Sequence, residues 1–188
     1  MNELLSDHIK SRTLAPHQEL EKALVARMRA MRSVDDYITL LQVFYRYFGA
    51  IEERIGLFIG PAELPDYLQR RKSESLAIDI FALSGVLPEK VPLAEIPVIE
   101  DHFQAFGALY VMEGSTLGGQ IISKMIAKQL GIQDKGLAYF HSYGDNLGTM
   151  WATFKLVLNR QAANESDADL IIGAADATFR KFQRLVVL

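Results

Sequence analysis

Apolar positions along the chain recur at three- and four-residue intervals, and no stretch alternates in the two-residue rhythm of a half-buried strand. The first helical region runs from about Glu3 to Met31 and meets Pro16 on the way. A proline inside a helix removes a backbone donor and crowds the carbonyl four residues back, so a kink or a fresh start is expected near Ala15. Ser33, followed by Asp35 and Asp36, supplies a cap for a long aromatic-rich helix, VDDYITLLQVFYRYFGAIEERIGLF. Gly60-Pro61 and Pro65 interrupt the pattern, and a helix resumes through DYLQRRKSESLAIDIFALSG. Residues 86–97 hold three prolines and read as a connecting loop.

From Ile99 one long helix is expected to reach Gly131, where a left-handed cap with Ile132 packing back would end it. Residues 136–149 read as irregular, MWATFKLVLNRQA as a further helix, and SDADLIIGAADATFRKFQRLVVL as a last one opened by a capping serine or aspartate. About seven to eight helices without strands predict an all-α, single-domain helical bundle over residues 1–188.

Composition removes several function classes. Hydrophobic residues make up 49% and charged residues 23%, as in ordinary globular chains. A net charge of −3 and the lack of a polybasic run give no reason to expect nucleic acid or a membrane surface as partner. No apolar run approaches the roughly 18 residues of a membrane span, and the first residues lack a signal-peptide layout. There is no cysteine, which excludes disulfides, thiolate metal sites and cysteine nucleophiles and agrees with a cytoplasmic location. A di-iron bundle needs Glu-x-x-His on two helices, whereas Leu5, Leu14, Ile99 and Ala138 stand three before the four histidines. Gly-x-Ser-x-Gly, Gly-x-Gly-x-x-Gly and the Walker phosphate loop are also missing. Chemistry brought by a cofactor remains.

Two constellations bear on it. His17 and Glu21 stand one helical turn apart in RTLAPHQELEKAL. They read either as a surface pair or as a metal-bound imidazole whose second nitrogen is held by a carboxylate. In YVMEGSTLGGQII, Gly114, Gly118 and Gly119 fall inside a helix, each costing roughly 1 kcal/mol against alanine. Gly114 and Gly118 share a face that Val111, Ile121 and Met125 extend. Such a bare face serves either close helix packing or a flat ligand laid against the backbone.

LSDHIKSRTLAPHQELE resembles the N-terminal haem-binding helix of haem oxygenases, and EGSTLGGQII resembles their glycine-rich distal helix. The bacterial biliverdin-producing members are also similar at R-K-x-x-x-L-x-x-D (Arg71 to Asp79), at Tyr143-Gly144 and Met150-Trp151, and at A-A-x-x-T-F-x-x-F (Ala174 to Phe182). The resemblance implies His17 as proximal iron ligand, Glu21 as its orienting partner and Thr13 in the same haem-binding helix. It also implies Gly114, Gly118 and Gly119 as the distal wall, with Ser115 beside it and Lys10 at a haem propionate. Lys155 and Arg160, on the Trp151 helix, are further propionate candidates. Haem would be both cofactor and substrate, opened by O₂ to biliverdin, carbon monoxide and iron. Electrons would come from an external reductase such as a ferredoxin or flavodoxin system, and a bilin acceptor would follow.

Three departures stand out, one of them Pro16 directly before His17. Ser115 occupies the position of an aspartate that organises distal water in the animal-type enzymes, and Ala152 stands where a basic residue is expected. A non-catalytic haem-binding or sensor protein of the same fold is the alternative that Ser115 keeps open. A thiamin-degrading enzyme on this fold would need a cysteine nucleophile.

Overall fold

A computed structural model describes residues 4–133 and 135–187. Glu3 and Leu188, the expected outer limits of the first and last helices, lie outside them. The described residues form nine α-helical segments and no strand. They are α1 (Leu5–Arg12), α2 (Leu14–Ala30), α3 (Val34–Ile55), α4 (Glu74–Ala82) and α5 (His102–Gly114). Then follow α6 (Gly119–Leu130), the single turn α7 (Ala138–His141), α8 (Leu147–Leu158) and α9 (Glu165–Val186).

Local signals set many of the boundaries. Ser33 and Asp36 form the full reciprocal cap of α3: Ser33 Oγ accepts the Asp36 N–H at 3.1 Å, and Asp36 Oδ2 accepts the Ser33 N–H at 3.0 Å. Asp36 Oδ2 also accepts the Arg32 N–H, and these bonds, that of Arg32 first, hold its carboxyl below the ordinary value of 3.8. A folded value below the unfolded one means that this stabilisation is present above pH 3.8 and is lost as pH falls through the folded value. Asp36→Asn is therefore expected to lower urea resistance near neutral pH, with the gap to the parent narrowing as pH falls below 3.8.

The proline effect falls one turn earlier than its sequence position suggests. The chain breaks at Thr13, and Pro16 occupies the first turn of α2, where a missing N–H costs nothing. Three other expectations are corrected. The helix expected over residues 66–85 is reduced to a 3₁₀ turn at Tyr67–Gln69 and the short α4, because Arg70 is drawn inward to partners on other elements. The long helix expected from Ile99 is split by a 3₁₀ segment, Ser115–Gly118, and starts at His102 under an Asp101 cap. Asn164, not a serine or aspartate, caps α9. At Gly131, φ of +68° provides the expected left-handed stop, with Ile132 packed against the core.

Helix α9 lies at the centre, flanked by α5, α2 and α1. The α5–α9 crossing is so close that a side chain at Gly107 would overlap the Ile171 carbonyl. Phe44, Tyr47, Phe48 and Phe182 stack into an aromatic core between α3 and α9, and the Tyr47 hydroxyl donates to the Thr178 carbonyl at 2.8 Å.

Candidate haem site

Gln129, in the last turn of α6, ties the C-terminal ends of two helices together. Its Nε2 donates to the carbonyls of Met28 and Met31, at the end of α2, at 3.0 and 2.7 Å. Away from this tie α2 and α6 do not pack along one another. His17 on α2 and Gly118 at the head of α6 each stand roughly 15 Å from it, at about 1.5 Å per residue. The two helices are thus joined at their C-terminal ends, and His17 and the glycine segment both lie toward the other ends.

The side of α6 turned to α2 follows from the same tie. Gln129 shares a stripe with Met125, Ile122 and Gly118, spaced at helical intervals. The face expected from sequence, with Val111 and Ile121, is corrected: Val111 is 3% exposed and Ile121 is 77% exposed. The 3₁₀ segment causes this, since it turns about 120° per residue instead of about 100° and rotates α6 relative to α5.

The three glycines have different neighbours. A Cβ on Gly118 would meet nothing nearer than Ile122 Cδ1 at 3.9 Å, and one on Gly114 nothing nearer than the Trp151 ring at 3.8 Å. Packing between helices does not require a glycine at either position. Gly119 is the opposite case, since its Cβ would run into the carbonyl of Phe140 on α7. Its missing side chain lets α6 dock on α7.

The remaining expected site residues have unlike surroundings. His17 is exposed, with its ring edge-on to Phe179 of α9 at 5.4 Å between centroids. Among the described residues no hydrogen bond joins it to Glu21, which lines a shallow groove on α2 with Lys22 and Val25. Thr13 is 2% exposed, and its hydroxyl donates to the Ile9 carbonyl at 2.8 Å, which anchors the α1–α2 break. Lys10 is exposed on α1, and Arg160 is exposed beyond α8. The Lys155 ammonium sits 5.8 Å from the Trp151 ring centroid, on the helix that faces Gly114.

Sequence reasoning missed Tyr110, one turn before Gly114 and 5.6 Å from Trp151 between ring centroids. Burial, then the charge of Asp7 on α1, raises its phenol above the ordinary value of 10.0 and keeps it protonated. Its spacing of four from Gly114 was the signal available.

A polar network lies behind the glycine segment. Ser115 Oγ donates to the Met112 carbonyl at 2.6 Å and accepts from Arg71 Nη2 at 2.8 Å. Thr116 Oγ1 donates to the Glu113 carbonyl at 2.6 Å. Both hydroxyl protons are thus committed to the backbone. Arg71 also lies 4.0 Å over the Tyr139 ring, and Asp79 accepts the N–H groups of Ala138 and Tyr139, each at 2.8 Å. The R-K-x-x-x-L-x-x-D pattern is therefore a clamp: its arginine holds the glycine segment and its aspartate caps α7.

Comparison with known proteins agrees with this architecture. The model of the "Heme oxygenase" family matches residues 3–187. A heme oxygenase of Xanthomonas campestris pv. campestris is 29% identical over 151 residues, which are 79% of this chain and 87% of the relative. Among solved structures, the NO- and CO-bound heme oxygenase of Neisseria meningitidis superposes with a TM-score of 0.79 at 22% identity, over 98% of this chain and 91% of that one. The heme oxygenase of Leptospira interrogans gives 0.80 at 16% identity, over 98% and 99% of the two chains. Heme oxygenase-1 of Synechocystis in complex with heme gives 0.76 at 17%, over 98% and 91%. With its family model matched from end to end and its fold shared, the chain belongs to the haem oxygenase family.

Proposed function

We propose that this chain, as a single domain, binds haem between α2 and the glycine segment and opens it with O₂ to biliverdin, carbon monoxide and iron. One observation carries the reading: Gly114 and Gly118 leave space where side chains would stand, beside the head of a helix whose far end is tied to the helix that bears His17. Planar haem suits that space, and the residues present suit its chemistry. His17, with its exposed imidazole, would hold the haem iron, and Glu21 one turn on would be its orienting partner. Lys10, Lys155 and the protonated Tyr110 hydroxyl suit the propionates.

Bound haem supplies the iron at which O₂ is activated. The chain's own residues shape what surrounds it. Gly114 and Gly118 would let haem approach the backbone, while Trp151 keeps that side apolar. Ser115, with its proton given to Met112 and a lone pair to Arg71, presents a hydroxyl that carries no charge. Where a carboxylate would carry negative charge, this chain presents a hydroxyl backed by a guanidinium. Thr13 fixes the α1–α2 elbow and thereby the spacing of Lys10 from His17.

Electrons come from an external reductase of the ferredoxin or flavodoxin kind, and a bilin acceptor takes the product. The lack of cysteine favours a cytoplasmic setting; no helix among the described residues is long and apolar enough to cross a membrane. Mixing the protein with haem, ascorbate and air tests the reading. The Soret band is expected to fade as a bilin absorption rises in the red; a stable haem spectrum with no bilin would favour a carrier or sensor.

A further inference from the structure

The last turn of α5 is pinned by a buried ion cluster centred on Arg70. The Arg70 side chain is fully buried, and its guanidinium uses every edge. Nε and Nη2 grip both oxygens of Asp66 at 3.0 and 2.7 Å, while Nη1 donates to Glu113 at 2.6 Å and to the Met150 carbonyl at 3.1 Å. Glu113 takes a further bond from the Tyr143 hydroxyl at 3.0 Å, and that hydroxyl accepts the Arg71 N–H at 2.8 Å. Burial works against the Arg70 charge, but Asp66 and Glu113 outweigh it and hold the guanidinium above its usual value.

The two anchor points of Nη1 are each one residue from the space beside Gly114. Glu113 directly precedes Gly114, and Met150 directly precedes Trp151, the ring that stands 3.8 Å from the space a Gly114 side chain would take. One planar guanidinium therefore joins the end of α5 to the start of α8, on both sides of the space beside Gly114. We propose that Arg70, acting through Glu113 and the Met150 carbonyl, is a positioning residue that sets the separation of Trp151 from Gly114. It thereby sets how the ring edge beside Trp151 is seated. Lysine cannot replace it, because an ammonium lacks the planar fork that reaches three partners together. The proposal rests on the haem reading for its consequence, but the spacing itself belongs to the protein alone.

Trp151 is the only tryptophan of the chain, so its fluorescence reports this gap without haem. Arg70→Met, Arg70→Lys and Glu113→Gln are compared with the parent well below their unfolding temperatures, by acrylamide quenching of Trp151. The bilin isomer composition of each is then read after one turnover of bound haem. Arg70→Met and Glu113→Gln are expected to raise the quenching constant about twofold and to change the isomer mixture, with Arg70→Lys between them and the parent. If Arg70→Met does not fold, the other two variants decide the matter. Variants that lose heat stability yet keep the parent's quenching and isomer composition would overturn the proposal and leave Arg70 a structural ion pair. If the parent takes up no haem, the functional reading falls, while the quenching comparison still decides whether Arg70 places Trp151.

Discussion

Gly119→Ala is expected to destabilise the protein by about 3 kcal/mol, while Gly118→Ala, one residue away, stabilises it by about 0.5–1 kcal/mol. The new methyl at 119 meets the Phe140 carbonyl, a backbone group held by α7, so one of the two helices must move. At 118 the backbone is right-handed, φ −90° and ψ −10°, and the methyl finds no atom nearer than 3.9 Å. Alanine there gains helix propensity and reduces the freedom of the unfolded chain. For a chain of this length the Gly119 variant should melt roughly 6–12 °C lower, and calorimetry of the haem-free proteins checks both signs. Equal effects at the two positions would mean that the glycines share one role.

His17→Ala is expected to lower haem turnover by more than about 100-fold while changing stability by less than about 1 kcal/mol. The imidazole is exposed, and its one aromatic neighbour is Phe179, so the fold loses little when it is removed. His8 on α1, His102 at the first turn of α5 and His141 at the end of α7 do not lie on α2 and cannot replace it there. The spectrum of ferric haem mixed with the variant, with and without added imidazole, provides the check. Imidazole that enters the vacated position should restore the parent spectrum in part. A variant with unchanged spectra and turnover would move the ligand elsewhere.

Features written in neighbouring residues were legible from sequence. The Ser33–Asp36 cap and the Gly131 stop need no more than one helical turn of context, and both are present. Pro16 signalled a break correctly but not its place, because proline is harmless in a first turn and the discontinuity moved to Thr13. The failures are tertiary. Nothing within residues 66–85 says that Arg70 will be pulled to Glu113 and Met150, so an unbroken helix was the local expectation. The glycine cluster was visible, but its division was not. Gly119 answers to a carbonyl on another helix, and a four-residue 3₁₀ segment rotates the face that simple periodicity assigns. That the Ser115 hydroxyl is engaged by Met112 and Arg71 depends on residues brought together by the fold.

The central claim is that haem enters between α2 and the glycine segment, and titration of Gly114→Leu beside the parent tests it most directly. The Cβ of this leucine would approach nothing closer than the Trp151 ring at 3.8 Å, and its branched end would take up space that the glycine leaves open. The parent should saturate with about one equivalent of ferric haem at the Soret band, as one axial histidine requires. The folded Gly114→Leu variant should lose most of that binding. Equal saturation by both proteins would contradict the claim and place the haem elsewhere.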